Sequence, residues 1–205
     1  MTPGRLPTIG ILGAGSLGSA VARSLAQAGI RANIANSRAP SSLSALVTDI
    51  GGTISAVSRE HAASCDLVVV AINWSKLPGA LANLPPWNNR IVVDANNSIE
   101  APLFQPADLQ GRSSSEVFAE WVPGARVVKA FNHLSPELLA SDPQAEGGRR
   151  VLFYSGDDIE ARATVGGLIS RMRFFGIDLG SLAVGAHLAQ FPGGVLPTLN
   201  LVRFE

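Results

Sequence analysis

Thr8-Ile9-Gly10-Ile11-Leu12-Gly13-Ala14-Gly15-Ser16-Leu17-Gly18 is the stretch on which the fold turns. An apolar run, Thr8 to Leu12, reads as a buried strand. The glycines Gly13, Gly15 and Gly18 follow it without a gap. After them Leu17, Val21, Leu25 and Ala28 fall on one helical stripe that Gly29 stops, and Ala32-Asn33-Ile34-Ala35 reads as the next strand. In a strand-turn-helix of this kind each glycine has a separate task. Gly13 makes the tight turn, Gly15 lets the backbone approach a pyrophosphate, and Gly18 lets the helix pack on the strand. The start of the helix offers unpaired N–H groups and a partial positive charge to phosphates. The stretch therefore predicts a dinucleotide site.

The residues beyond it choose the dinucleotide. About twenty residues on, where an NAD site places an acid for the ribose diol, this chain has Asn36-Ser37-Arg38. A carboxylate there would repel a 2′-phosphate, whereas an arginine preceded by a hydroxyl attracts one. The first 48 residues hold four arginines and not one Asp or Glu. The site is expected to take NADP(H) rather than NAD(H).

Strands are expected near 8–12, 32–35, 53–56, 67–72, 90–94, 126–130, 150–155 and 174–178, several of them continuously apolar, as when helices cover both faces of a sheet. Helix signals lie between them. Ser41 or Ser42 can cap a helix through Ile50 that Gly51-Gly52 ends, and Ser58 a short one through Ser64. Ser113-x-x-Glu116 is a capping box for a helix to about Trp121. Ser135-Pro136-Glu137 and Asp157-Asp158 open two more. The alternation implies an α/β fold, a doubly wound, mainly parallel sheet. Residues 99–112 look irregular. Residues 183–205 are apolar, punctuated by Gly185, Pro192-Gly193-Gly194 and Pro197, and are expected as short helices over the sheet edge. The expected division is a dinucleotide-binding domain over 1–182 and a C-terminal helical extension over 183–205 that packs on the cleft or on a partner subunit.

Composition narrows the function. Of 205 residues 46% are hydrophobic and the formal net charge is zero. A neutral surface lacks the basic face that nucleic acid requires. The longest apolar run, Leu67 to Ile72, is far too short to span a bilayer. The N-terminus has no signal-peptide pattern, and Cys65 is the only cysteine, which points to a reducing, cytoplasmic setting and to a small packed hydrophobe at that position.

In an open parallel sheet ligands lie beyond the C-terminal ends of the strands. Asn73 and Trp74 follow strand four, Asn96 and Asn97 strand five, and Phe131, Asn132 and His133 strand six. Amides and aromatics suit the fixing of a carboxamide and the stacking of a ring. His133 is the one group titrating near neutrality that this rule places beside the cleft. Two readings of it stand: a proton donor to a second substrate, or a histidine bonded locally at a helix entry. Trp74 reads equally as a lid or as packing. Lys129, inside strand six, reads as an edge or surface lysine in preference to one that reaches a ligand. His61 and His187 are assigned nothing. With no Ser-His-Asp spacing, CxxC pair or metal-ligand cluster, the chemistry is expected from the cofactor.

Gly10 to Gly18, Asn36-Ser37-Arg38, Ala71-Ile72-Asn73-Trp74, Val127-Val128-Lys129-Ala130-Phe131-Asn132 and Ile177 to Leu182 together resemble the NADPH-dependent coenzyme F420 (deazaflavin) oxidoreductase family. They are also similar to the cytosolic NADPH-binding domain of the STEAP metalloreductases, to which the ending Lys-Ala-Phe-Asn-His looks closer. The resemblance implies a Rossmann-type fold with a small C-terminal helical segment, usually a homodimer. It implies hydride transfer between the nicotinamide and a flavin-like ring, coenzyme F420 or a flavin. By position, Gly13, Ala14, Gly15, Ser16, Leu17 and Gly18 would hold the pyrophosphate and Ser37 and Arg38 the 2′-phosphate, beside Asn36. Ile72, Asn73 and Trp74 would border the dinucleotide. Asn96, Ala130, Phe131, Asn132 and His133 would approach the nicotinamide.

The leading expectation is thus an NADPH-dependent oxidoreductase with a small-molecule redox acceptor, no nucleic acid and no membrane. Two alternatives stand beside it: a reductase of a small carbonyl or imine substrate with His133 as proton donor, and a non-catalytic NADP(H)-binding protein.

Overall fold

The computed structural model describes residues 7–100, 105–144 and 147–204. Ile9–Leu12 form β1, Ala32–Ala35 β2, Ile54–Ala56 β3, Leu67–Val70 β4, Ile91–Asp94 β5, Ile99–Glu100 β6, Gln105–Pro106 β7, Arg126–Ala130 β8, Gly148–Gly156 β9, Phe175–Asp178 β10 and Val202–Phe204 β11. The helices are α1 (Ser16–Gln27), α2 (Ser44–Ile50), α3 (Arg59–Ala63), α4 (Leu77–Leu81), α5 (Ser114–Trp121), α6 (Pro136–Ala140) and α7 (Ile159–Arg171). A further helical stretch runs from Leu182 to Ala189. The expected caps form: Ser58 accepts from His61 N, Ser113 and Glu116 close a capping box, and Ser135 and Asp158 cap α6 and α7. A 3₁₀ turn at Pro40–Leu43 precedes α2, so neither Ser41 nor Ser42 is the N-cap of that helix.

The strand order is β10-β9-β8-β5-β4-β1-β2-β3, with β11 also paired to β9. Along that order every pair from β3 to β8 is parallel. β9 then runs antiparallel to β8, and β10 runs parallel to β9. The cause is the β8–β9 link. It holds α6 but does not return the chain to the starting edge of the sheet, so β9 begins beyond the end of β8 and runs the opposite way.

Alternation within the apolar strands explains why they read as continuous runs. Leu67, Val69, Ile91, Val93, Val128 and Ala130 pack under α1 and α7 with Val21, Leu25, Val165 and Ile169. Val68, Val70, Val92 and Val127 face the other way, against Ala62, Leu77, Phe118, Leu182 and Ala186. Each face has its own core, so the sheet is covered on both sides.

Residues 1–6, 101–104 and 205, which fall within segments read from the sequence, lie outside the described residues. In the stretch expected to be irregular, β6 and β7 make a two-residue antiparallel ladder. The C-terminal segment is helical over Leu182–Ala189, and its end adds a strand that helical patterning did not suggest, β11 on Gly148–Arg150 of β9. Among the described residues no helix is long and apolar enough to cross a membrane.

Candidate functional site

A cleft of about 330 Å³ opens at the C-terminal ends of β1, β2 and β4. Its lining includes Gly13, Ala14 and Gly15 after β1, Asn36, Ser37 and Arg38 after β2, and Ile72 and Asn73 after β4. A larger groove of about 1130 Å³ lies at the opposite end, between the starts of β1 and β2 and the helix α7. In a sheet of this kind ligands sit at the carboxyl ends of the strands, so the smaller cleft is the candidate site.

The glycines shape its floor. Gly13 has φ +107°, and a side chain there would collide with the Ala71 carbonyl. A side chain at Gly18 would collide with the Gly13 carbonyl, so helix and turn touch at backbone distance. Gly15 is different: a Cβ would meet no protein atom within 4 Å, and its φ is −76°. The space at Gly15 therefore opens to the cleft. No side chain caps α1 and no acid stands in its first turn, so its N–H groups remain available to an anion.

Asn36 builds the next loop. Its Oδ1 accepts from Arg38 N at 2.8 Å and its Nδ2 donates to Ser42 Oγ at 3.1 Å, while Ser42 Oγ donates to Ala39 O at 2.7 Å. The amide is spent on holding the turn that exposes Ser37 and Arg38. Two cations that sequence reasoning missed, Arg59 and Lys76, also line the cleft, and no carboxylate does. Arg38, Arg59 and Lys76 have no salt bridge among the described residues. The missed signal was the rule used elsewhere: both follow a strand end, β3 for Arg59 and β4 for Lys76.

The groups expected at the nicotinamide lie deeper. Asn96 is buried; its Oδ1 accepts from Ile72 N at 2.8 Å, and its backbone N and Nδ2 donate to Asp94 Oδ1 at 3.0 and 2.8 Å. Asn96 therefore reaches the cleft through the backbone of Ile72. Asn132 Nδ2 donates to Asn97 Oδ1 at 2.9 Å and to Ala189 O at 2.7 Å, and Asn97 Nδ2 returns a bond to Asn132 O at 3.0 Å. These amides tie the ends of β5 and β8 to the C-terminal segment. Phe131 makes the geometry possible from a left-handed backbone, φ +66°, with its ring in the core. Ala130 is fully buried beside it.

Lys129 is not the edge or surface lysine expected. It is 1% exposed, and its Nζ donates to Asp94 Oδ2 at 3.0 Å, to Ser114 Oγ at 3.3 Å and to the Asn96 carbonyl. The reason is register: Lys129 on β8 is the sheet partner of Asp94 on β5. Burial pushes the lysine below its usual range, and the Asp94 charge and hydrogen bond oppose that shift.

His133 is buried at 3% exposure with its ring 4.9 Å from that of Phe153, and it does not line the cleft. Neither nitrogen makes a close hydrogen bond. Burial lowers its pKa to about 4, an effect the Val151 backbone offsets only in part. Trp74 is also buried, its ring 4.9 Å from Trp121, and its side chain serves the core. Cys65 is buried as a packed hydrophobe. Among the described residues no group of three or more His, Cys, Asp and Glu could hold a metal ion.

Known proteins agree with this architecture. Residues 8–98 match the model of the family described as NADP oxidoreductase, coenzyme F420-dependent. The chain is 29% identical over 196 residues to the metalloreductase STEAP3 of Rattus norvegicus, covering 96% of this chain but 38% of that protein; it thus spans well under half the length of that relative. It is 44% identical to the solved structure of the hypothetical protein SMa0349 of Sinorhizobium meliloti, with a TM-score of 0.91 and coverage of 96% of this chain and 95% of the other. A proposed F420-dependent NADP-reductase of Arthrobacter sp. FB24 shares the fold at 24% identity, with a TM-score of 0.75 over 96% of this chain and 100% of that one. Over residues 8–98 the chain thus resembles the NADP oxidoreductase, coenzyme F420-dependent family, and its fold is of the Rossmann type.

Proposed function

We propose that the protein passes a hydride between NADP(H) and a flavin-type acceptor, either coenzyme F420 or a flavin. The observation that carries the cofactor half is the cleft itself, with arginines that have no salt bridge among the described residues, an uncapped helix start and an open space over Gly15. These features fit a dinucleotide phosphate. The uncapped N-terminus of α1, with Gly13 to Gly18, would hold the pyrophosphate; Ser37 and Arg38 would hold the 2′-phosphate; Ile72 and Asn73 would border the ring end.

When bound, the nicotinamide supplies the hydride. The chain's own residues orient it and exclude water, and alignment of this kind is the main demand that hydride transfer makes on a protein. Asn96 fixes the Ile72 backbone, and Asp94 fixes Asn96. The Asn97–Asn132 pair closes the acceptor side with Ala189. None of these groups is placed to give a proton in a chemical step. Lys129 is paired with Asp94, and His133 is neutral above about pH 4 and packed on Phe153. That favours an acceptor that takes a hydride without a protein acid over a carbonyl or an imine.

The C-terminal extension, residues 183–205 in this reading, makes a homodimer contact in a cytoplasmic enzyme. Six of the seven large hydrophobic side chains exposed among the described residues, Val184 to Phe204, lie in it. Light scattering on the purified protein reports the mass.

The test of function is stopped-flow NADPH oxidation with coenzyme F420, FMN, FAD and riboflavin, with NADH as control. Fast, NADPH-selective reduction of one acceptor is expected. Tight NADPH binding with no oxidation by any of the four would overturn the reading in favour of a carbonyl or imine reductase or a binding protein.

A further inference from the structure

The cations of the cleft are laid out in strand order. Across β3-β2-β1-β4 the residues that follow the strands are Arg59, Arg38, the glycine turn and Lys76. β2 and β3 are parallel, with Ile34 opposite Ala56, and Val57 N continues the ladder to Ile34 O at 3.0 Å. Arg38 stands four residues beyond Ile34 and Arg59 three residues beyond Ala56. The two side chains thus leave the same end of adjacent strands, on the far side of the glycine turn from Lys76.

Local chemistry keeps Arg59 available. Ser58 caps α3 by accepting from His61 N at 3.2 Å, which fixes the helix start. The neighbouring carboxylate, Glu60, is held mainly by the backbone and Ser58 at that same helix start, feels the Arg59 charge only as its weakest influence, and lines a separate hollow with His61 and Cys65. The Arg59 Nε is buried and has no hydrogen-bond partner. A buried guanidinium nitrogen at the wall of an acid-free cleft is a donor awaiting an anion.

Resting on the NADP(H) reading above, we infer that Arg59 is the second arm of a two-arginine clamp on the 2′-phosphate, and so a residue that sets the choice of NADP(H) over NAD(H). A phosphate monoester carries a charge of about −1.5 to −2 at neutral pH, more than one guanidinium neutralises. Two planar forks from neighbouring loops can divide its three terminal oxygens. Arg38 alone, on an exposed loop, binds in competition with water, whereas Arg59, with its Nε already shielded, binds where charge-assisted bonds are stronger.

The competing role for Arg59 is stacking on the adenine ring, which NADPH and NADH share. Calorimetry separates the two. Wild type, Arg59→Met, Arg59→Lys and Arg38→Met are titrated with NADPH, NADH, 2′,5′-ADP and 5′-AMP. The clamp requires Arg59→Met to weaken NADPH and 2′,5′-ADP by roughly ten- to a hundredfold, the span of one or two charged hydrogen bonds, while NADH and 5′-AMP change less than about twofold. Arg59→Lys, which keeps the charge, recovers part of the loss and serves as the informative variant if the methionine form does not fold. Equal losses for both members of each pair would make Arg59 an adenine contact and overturn the clamp, as would no loss in either. A wild type that binds NADPH no tighter than NADH would overturn the cofactor reading itself, a result the variants cannot produce.

Discussion

Replacing Lys129 by Met should be among the most damaging single changes outside the glycines. The side chains of Lys129 and Asp94 are 1% and 0% exposed. Asp94 Oδ2 accepts from Lys129 Nζ and, at 2.7 Å, from Ser115 Oγ, while Oδ1 accepts twice from Asn96. Met fills a similar volume but removes the countercharge. The carboxylate keeps three of four donors and cannot be rehydrated. Breaking one side of a buried ion pair costs about 3–5 kcal/mol. For a chain of this size each kcal/mol moves Tm by roughly 2–4 °C, so Lys129→Met should melt roughly 6–20 °C below wild type. Removing the charge from both sides with Asp94→Leu/Lys129→Met should cost less than the sum of the single changes, because no uncompensated charge remains. Calorimetric melts of the four proteins close this cycle. A loss below about 3 °C for Lys129→Met, or additive single losses, would show that the pair is solvated or weak and refute the reasoning. Because Asn96 passes the restraint to Ile72 N, the same variant should also weaken NADPH binding.

Other outcomes follow from particular residues. Gly15→Ala should shift stability by less than about 1 kcal/mol, since its Cβ meets nothing, yet weaken NADPH at least roughly tenfold by crowding the pyrophosphate. Gly18→Ala, whose Cβ meets the Gly13 carbonyl, should lose stability as well; thermal melts beside titrations separate the two. His133 should make stability depend on acid. Its folded pKa, about 4, lies below the ordinary 6.5. Its contribution is therefore complete above about pH 6.5 and is lost as pH falls toward 4, roughly 3 kcal/mol in all. Urea midpoints for wild type and His133→Phe should converge or cross across that window, and parallel profiles would exclude the effect. The same variant should oxidise NADPH within about threefold of wild type, whereas a hundredfold loss would restore His133 as a proton donor.

The parts of the site legible in the sequence are those whose chemistry is local. Gly13, Gly15 and Gly18 act within six residues of one another, and the caps at Ser58, Ser113, Ser135 and Asp158 bind three residues ahead. Lys129 was illegible because its partner is 35 residues away and only the β5–β8 register joins them. The asparagines after β5 and β8 were placed at the correct end of the sheet, but spacing does not tell an amide aimed at a ligand from one spent on a neighbour. Asn96 and Asn97 are spent in this way, and so is the Nδ2 of Asn132, whose buried Oδ1 has no hydrogen-bond partner. The reversal at β9 was hidden because α6 has five residues, as α3 and α4 do in links between strands of the parallel run, so helix length alone does not tell a crossover from a reversal. β11 was hidden because a three-residue strand beside prolines and glycines shows no period.

Every residue lining the cofactor cleft falls between Leu12 and Ala80. The opposite side is stitched by bonds from Ser114 N to Gln190 Oε1, 76 residues on, and from Phe191 N back to Asn97 Oδ1, 94 residues away. A ribosome delivers these two halves at different times. The lining of the cleft, ending at Ala80, is synthesised before Ser114, Gln190 and Phe191, whose bonds stitch the opposite side. Order of synthesis thus supplies what a safeguard would: the cleft can form before the contacts that close the opposite side exist.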